Sequence, residues 1–179
     1  IPLTTSCPRH EHQLEATFGV PGVFIAWQDH DVEATPAAPE VVAMDRLTHE
    51  GLATGVVTLP GRRVHLGVWL RLLRTLLDEL NTPTSHLGQA SRRRLQVIWA
   101  SIGQPPRAGQ SRWRAFEAQP WPLQQTTLHA AASAIALIGT GRVDAAGTLG
   151  HVLREPTLVP AYAGDPPGRI GGSGIDRLI

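Results

Sequence analysis

Lysine is absent from this chain of 179 residues; all sixteen basic side chains are arginine. Fifteen acidic residues bring the formal charge to +1, so no strong field of one sign marks a partner. A pI near 8.3 permits nucleic-acid binding without requiring it. The arginine-only usage, together with abundant Ala, Gly and Pro, reads as coding bias from a GC-rich genome. Cys7 is the single cysteine, which excludes an intramolecular disulfide and makes a reducing, cytoplasmic compartment the expectation. No apolar run approaches the ~20 residues that span a bilayer, so no membrane role is expected. The opening IPLTTSCPRH has neither a basic start nor an apolar core and is not a signal peptide. Without an initiating methionine, it suggests a processed product or a piece of something longer. Catalytic signatures are missing as well: there is no phosphate loop, no G-x-S-x-G elbow and no H-E-x-x-H. The glycine-rich GRIGGSG near the end neither follows a strand nor opens a helix. The chain is expected not to be an enzyme.

With 42% hydrophobic and 17% charged residues, the chain can bury a core. Its length suits one domain, alone or with a small appendage. The strongest pattern is VHLGVWLRLLRTLLDELN, residues 64–81, where Trp69, Leu70, Leu72, Leu73, Leu76, Leu77 and Leu80 recur at helical spacing. Arg74 and Asp78 sit four apart and can pair. Asn81 before Thr82-Pro83 is a natural stop. A helix over 40–54 ends at Gly55. Pro60-Gly61 suits a type II turn joining Val56–Leu59 to Val64–Leu66 as a hairpin. Leu95, Ile98, Trp99 and Ile102 mark another helix with Ser91 as its cap, and Pro122 to Gly139 marks a fourth, alanine-rich in the middle. Residues 111–117 suit one or two turns, and a short helix is expected beyond Ala145. The stretch 18–27 reads as brief strands or buried coil, and the proline-rich 34–40 as a linker. The fold class is therefore mainly α: a helical domain of four to six helices (40–162) with a short β-hairpin. An irregular N-terminal segment resembling half of a zinc finger (1–39) precedes it, and a flexible tail (163–179) follows.

Candidate chemistry is sparse. Cys7-Pro8-Arg9-His10 has the spacing of half a tetrahedral zinc site, and His12 is a possible third ligand; the alternative is an exposed terminal segment that merely contains these residues. His65 and His129 suit polar surface or satisfied core positions better than ligation. Asp29-His30-Asp31 has little claim on a metal. Arg92, Arg93 and Arg94 open a helix, where the macrodipole disfavours positive charge by roughly 0.3–1 kcal/mol each. That local cost suggests an anionic partner such as a phosphate backbone, against the plainer reading of a solvated helix end. Arg112 and Arg114, flanking Trp113, add basic and aromatic character.

CPRHEHQL, residues 7–14, resembles the C-P-x-H-x-x-x-L element of TniQ family proteins, the target-site selection proteins of certain transposons. LTHEGLATGVVTLPGRRVHLGVWLRLLRTLLDELN is similar to that family's helical region, where a strand-turn-strand leads into a helix carrying W/F-x-x-L-R. RAGQSRWRAFE and the alanine-rich helix are similar to actinobacterial members. The resemblance runs from about Cys7 to Gly139. It implies a non-enzymatic DNA-binding adaptor, with a zinc finger and helix-turn-helix elements, that recruits a transposon's ATPase and transposase. Of the family's metal motif only Cys7 and His10 carry over. The C-x-x-C pair that precedes this element in the family is missing, as is the cysteine pair that follows it in many members, where this chain reads FGVPGVFIAW. Two rival classes stand beside this one: a helical protein-interaction module with no nucleic-acid role, and a small metal-dependent hydrolase using the histidines.

Overall fold

The computed structural model describes residues 3–14, 34–60, 62–106, 116–145 and 152–153. Their order is β1 (Ser6–Cys7), β2 (His12–Gln13), α1 (Pro39–Thr54), β3 (Val56–Leu59), β4 (Arg62–His65), α2 (Leu66–Leu80), a 3-10 turn (Thr84–His86), α3 (Gln89–Ser101), a second 3-10 turn (Phe116–Ala118) and α4 (Trp121–Gly139). The fold is mainly helical, with two antiparallel hairpins, β1–β2 and β3–β4. None of the described helices is long and apolar enough to cross a membrane. The tail, the apolar stretch 18–27, the acidic-histidine triplet 29–31 and most of the residues beyond Ala145 lie outside the described residues.

α2 forms where the leucines predict it. Trp69, Leu72, Leu73, Leu76, Leu77 and Leu80 are buried, while Leu70 is half-buried at the edge of the stripe. The helix begins two residues later than the periodicity suggests. Val64 and His65 are held extended by pairing with Val57 and Val56, and the His65 ring caps the helix by accepting from the Gly67 N–H at 3.0 Å. Asn81 ends it, its side-chain amide donating to the Leu77 carbonyl at 2.8 Å. Arg74 pairs with Asp78 at 3.6 Å, as the spacing predicts, and also with Glu117 on the second 3-10 turn.

The β3–β4 hairpin lies between α1 and α2 and closes against α1 at one point in particular. A Cβ on Gly51 would stand 2.7 Å from Val57 Cγ2 and 2.8 Å from Leu66 Cδ1, so any larger residue there would have to push these side chains aside. Gly55 then takes φ +77 to stop α1. Deeper in, the Trp69 indole N–H donates to Thr48 Oγ1 at 3.0 Å, which satisfies the indole's donor inside the core.

α4 packs against α1, α2 and α3. Ala130, Ala131, Ala132 and Ala134 are all buried, and their small side chains let neighbouring backbones come close. The core therefore gathers around α4, and Trp69, Trp99, Phe116 and Leu128 belong to one cluster.

Two local readings are corrected by the structure. Ser91 lies inside α3, not at its cap; the helix starts at Gln89 behind Gly88, whose extended backbone (φ −64, ψ 161) provides the entry and no side-chain cap. The 34–40 stretch does not act as a free linker. The Gln13 N–H donates to the Thr35 carbonyl and the Ala37 N–H to Glu11, both at 2.8 Å, and Pro36 bridges His12, so the chain lies alongside the N-terminal hairpin before entering α1. The link between α2 and α3 runs over 81–88, longer than the three or four residues of an ordinary helix-turn-helix, and α3 packs on α4.

Candidate metal knuckle and basic helix start

The N-terminal hairpin gives Cys7 and His10 a defined relation. β1 and β2 pair Ser6 with Gln13 and Cys7 with His12. The turn between them is closed by the His10 and Glu11 N–H groups donating to the Cys7 carbonyl at 3.2 and 2.7 Å, with Glu11 at φ 57. Cys7 Sγ and His10 Nδ1 thereby come within 3.4 Å. Two ligands on a tetrahedral zinc, at ~2.3 Å for sulfur and ~2.0 Å for nitrogen, would lie about 3.5 Å apart. The pair therefore fits two adjacent vertices of such an ion. His12 stands across the ladder from Cys7, yet among the described residues no three His, Cys, Asp or Glu side chains converge as a metal group.

The hairpin is fastened to α1 by a residue the sequence reading overlooked. Asp45 is fully buried, and its Oδ2 accepts from the Thr5 N–H at 3.0 Å, the Ser6 N–H at 2.7 Å and the Ser6 hydroxyl at 2.6 Å. Burial pushes the Asp45 carboxyl above its ordinary pKa, against the opposing pull of these donors. Its neighbour Arg46 pairs with Glu11 on the other side of the turn. The sequence carried a signal for Asp45: a carboxylate lies on the stripe Val41, Met44, Thr48, whose other members are buried. An unexplained acid on an apolar helix face calls for a partner.

The basic cluster resolves into unlike parts. Arg92 turns back on the link, donating from Nε to the Thr84 carbonyl at 3.1 Å and from its second terminal nitrogen to Leu87 at 3.3 Å. It fixes the geometry of the 3-10 turn. Arg93 is exposed and Arg94 half-buried, and the first turn of α3 holds no acidic residue. Arg112, Trp113 and Arg114 lie outside the described residues.

The structure does not bring the metal pair and the arginines together. Between hairpin and bundle lies a cleft of about 300 Å³, lined among others by Thr5, Gln13, Ile102, Gln104, Gln125 and His129. The hairpin thus adjoins the C-terminal end of α3, and Arg93 lies nine residues, or about 13 Å, from Ile102 along that helix. His129 is a satisfied polar residue: its Nε2 meets Glu40 Oε1 at 3.0 Å across α4 and α1. His65 is the α2 cap described above. Comparison with family models, curated proteins and solved structures finds no match to this chain.

Proposed function

We propose that this chain is a non-enzymatic adaptor that grips duplex DNA through the start of α3, of the transposition target-selection kind that the TniQ resemblance implies. The observation that carries the reading is the first turn of α3. Gly88 gives it no side-chain cap, it carries no acidic residue of its own, and Arg93 stands exposed just beyond it. Backbone donors at a helix start together with an arginine suit a phosphate oxygen. Arg92 would set the link, and Arg93 and Arg94 would meet the backbone, with Arg112 and Arg114 adding to the same basic character. α4 would support α3 in place of the partner helix of an ordinary helix-turn-helix. Zinc would take Cys7 and His10 as two of its ligands, and a transposon ATPase would be the protein partner, in the cytoplasm.

Filter binding of the chain to duplex DNA across a salt series tests the proposal. Affinity should fall as salt rises, with a slope near −0.9 per phosphate contacted. Affinity that is absent at low salt, or flat with salt, overturns it. A second reading, a helical protein-interaction module, draws on Arg92 facing the link while Trp69 and Trp99 share one core. Flat, negligible DNA affinity would favour that reading.

A further inference from the structure

The buried carboxylate of Asp45 has no chemistry to perform inside the helical core, and all three of its donors come from the two residues before Cys7. An ordinary two-residue β-ladder is too short to hold its own register in water. Here the register is imposed from outside. Asp45 fixes the backbone of Thr5 and Ser6, and the next residue of α1, Arg46, holds Glu11 beyond the turn. The Leu14 N–H donates to the Thr5 carbonyl at 2.7 Å, which brings the second arm back onto the anchored one. Cys7 and His10 stand between these fastenings, with sulfur and nitrogen already 3.4 Å apart.

We infer that Asp45 is the positioning residue of the Cys7–His10 pair: it holds β1 on α1 so that thiol and imidazole face one point before any ion arrives. The inference rests on the metal reading given above for what the pair binds, but not for the anchoring itself. Oδ2 takes all three of Asp45's hydrogen bonds, and Oδ1 has no hydrogen-bond partner. An asparagine can therefore place its carbonyl where Oδ2 sits and leave its amide where Oδ1 is, so Asp45→Asn retains part of the attachment and Asp45→Ala none. Residues that orient metal ligands from behind typically change metal affinity by about 10–100-fold when removed.

The test compares wild type, Asp45→Asn and Asp45→Ala in two measurements. Hydrogen exchange reads the anchoring. The Glu11 and Leu14 amides should exchange at least about tenfold faster in Asp45→Ala and by an intermediate amount in Asp45→Asn, while the core amides of Leu72 and Leu76 stay protected in all three. Equal rates at Glu11 and Leu14 in the three proteins overturn the inference; loss of protection at Leu72 and Leu76 also overturns it, since Asp45 would then be holding the bundle as a whole. Cobalt(II) titration, followed through the thiolate-to-cobalt absorption, reads the pair. Asp45→Ala should weaken cobalt binding by about 10–100-fold, with Asp45→Asn between. Equal cobalt affinity in the three proteins overturns the positioning role. A wild type that gives no thiolate absorption removes the metal reading on its own, and the exchange rates then decide the anchoring.

Discussion

Leu73→Ala probes the buried face of α2. Leu73 is 0% exposed and belongs to the single core cluster. The substitution removes three carbons, which at about 0.8 kcal/mol each is roughly 2.4 kcal/mol of transfer free energy. The neighbouring helices relax only partly, and a residual cavity adds about 24 cal/mol per Å³, so the total should fall within about 2.7–5 kcal/mol. Leu52 supplies the internal control, because it is 46% exposed on α1 and the same truncation there should cost less than about 1 kcal/mol. Urea unfolding followed by tryptophan fluorescence gives both numbers, with an unchanged m-value showing that the two states are still comparable. Equal losses at Leu73 and Leu52, or a loss below 1 kcal/mol at Leu73, would refute the burial of this face of α2 in the core.

Gly51→Ala should destabilise by about 1–3 kcal/mol in the same assay, although alanine is the better helix former by about 1 kcal/mol, since the new Cβ meets Val57 and Leu66 side chains below 3.0 Å. Trp69→Phe should cost about 1–3 kcal/mol, because it leaves the buried Thr48 hydroxyl without the indole donor; Thr48 keeps its own bond to the Met44 carbonyl at 3.1 Å, which favours the lower end. Asp45 supplies a pH dependence whose sign is fixed. Its carboxyl is raised above 3.8 by burial, so its contribution is fully present below that value and is lost as pH rises through the folded-state pKa. The stability of wild type relative to Asp45→Asn should therefore decline as pH climbs from below 4 toward neutrality; a difference that grows over that interval would contradict the assignment.

The helices and the second hairpin were legible because their signals are local. Leucine spacing fixed α2 within two residues, Pro60-Gly61 announced β3–β4, and Gly55 and Asn81 stopped the helices they follow. What could not be read depends on partners distant in the chain. Ser91 has the right chemistry for a cap, but the 3-10 turn and Gly88 start α3 earlier. The proline-rich 34–40 looks like linker until Glu11 and Gln13 are seen to pair with it. Arg92, Arg93 and Arg94 look alike in sequence, and only the path of the link separates Arg92, which braces it, from Arg93, which faces solvent. Asp45 was hidden for the same reason: its donors are about forty residues away. The spacing of Cys7 and His10 gave their proximity, and the buried stripe of α1 marked Asp45 as an acid in need of a partner, but nothing in the chain said which residues that partner would be.

The most direct measurement of the central claim is the slope of log affinity against log salt for duplex DNA, compared between wild type and Arg93→Ala. Arg93 is exposed and makes no ion pair among the described residues, so its removal should leave urea stability within about 0.5 kcal/mol. If α3 presents Arg93 to a phosphate, the variant binds more weakly across sequences and its slope is shallower by about one contact. Identical slopes and affinities for the two proteins would contradict the account.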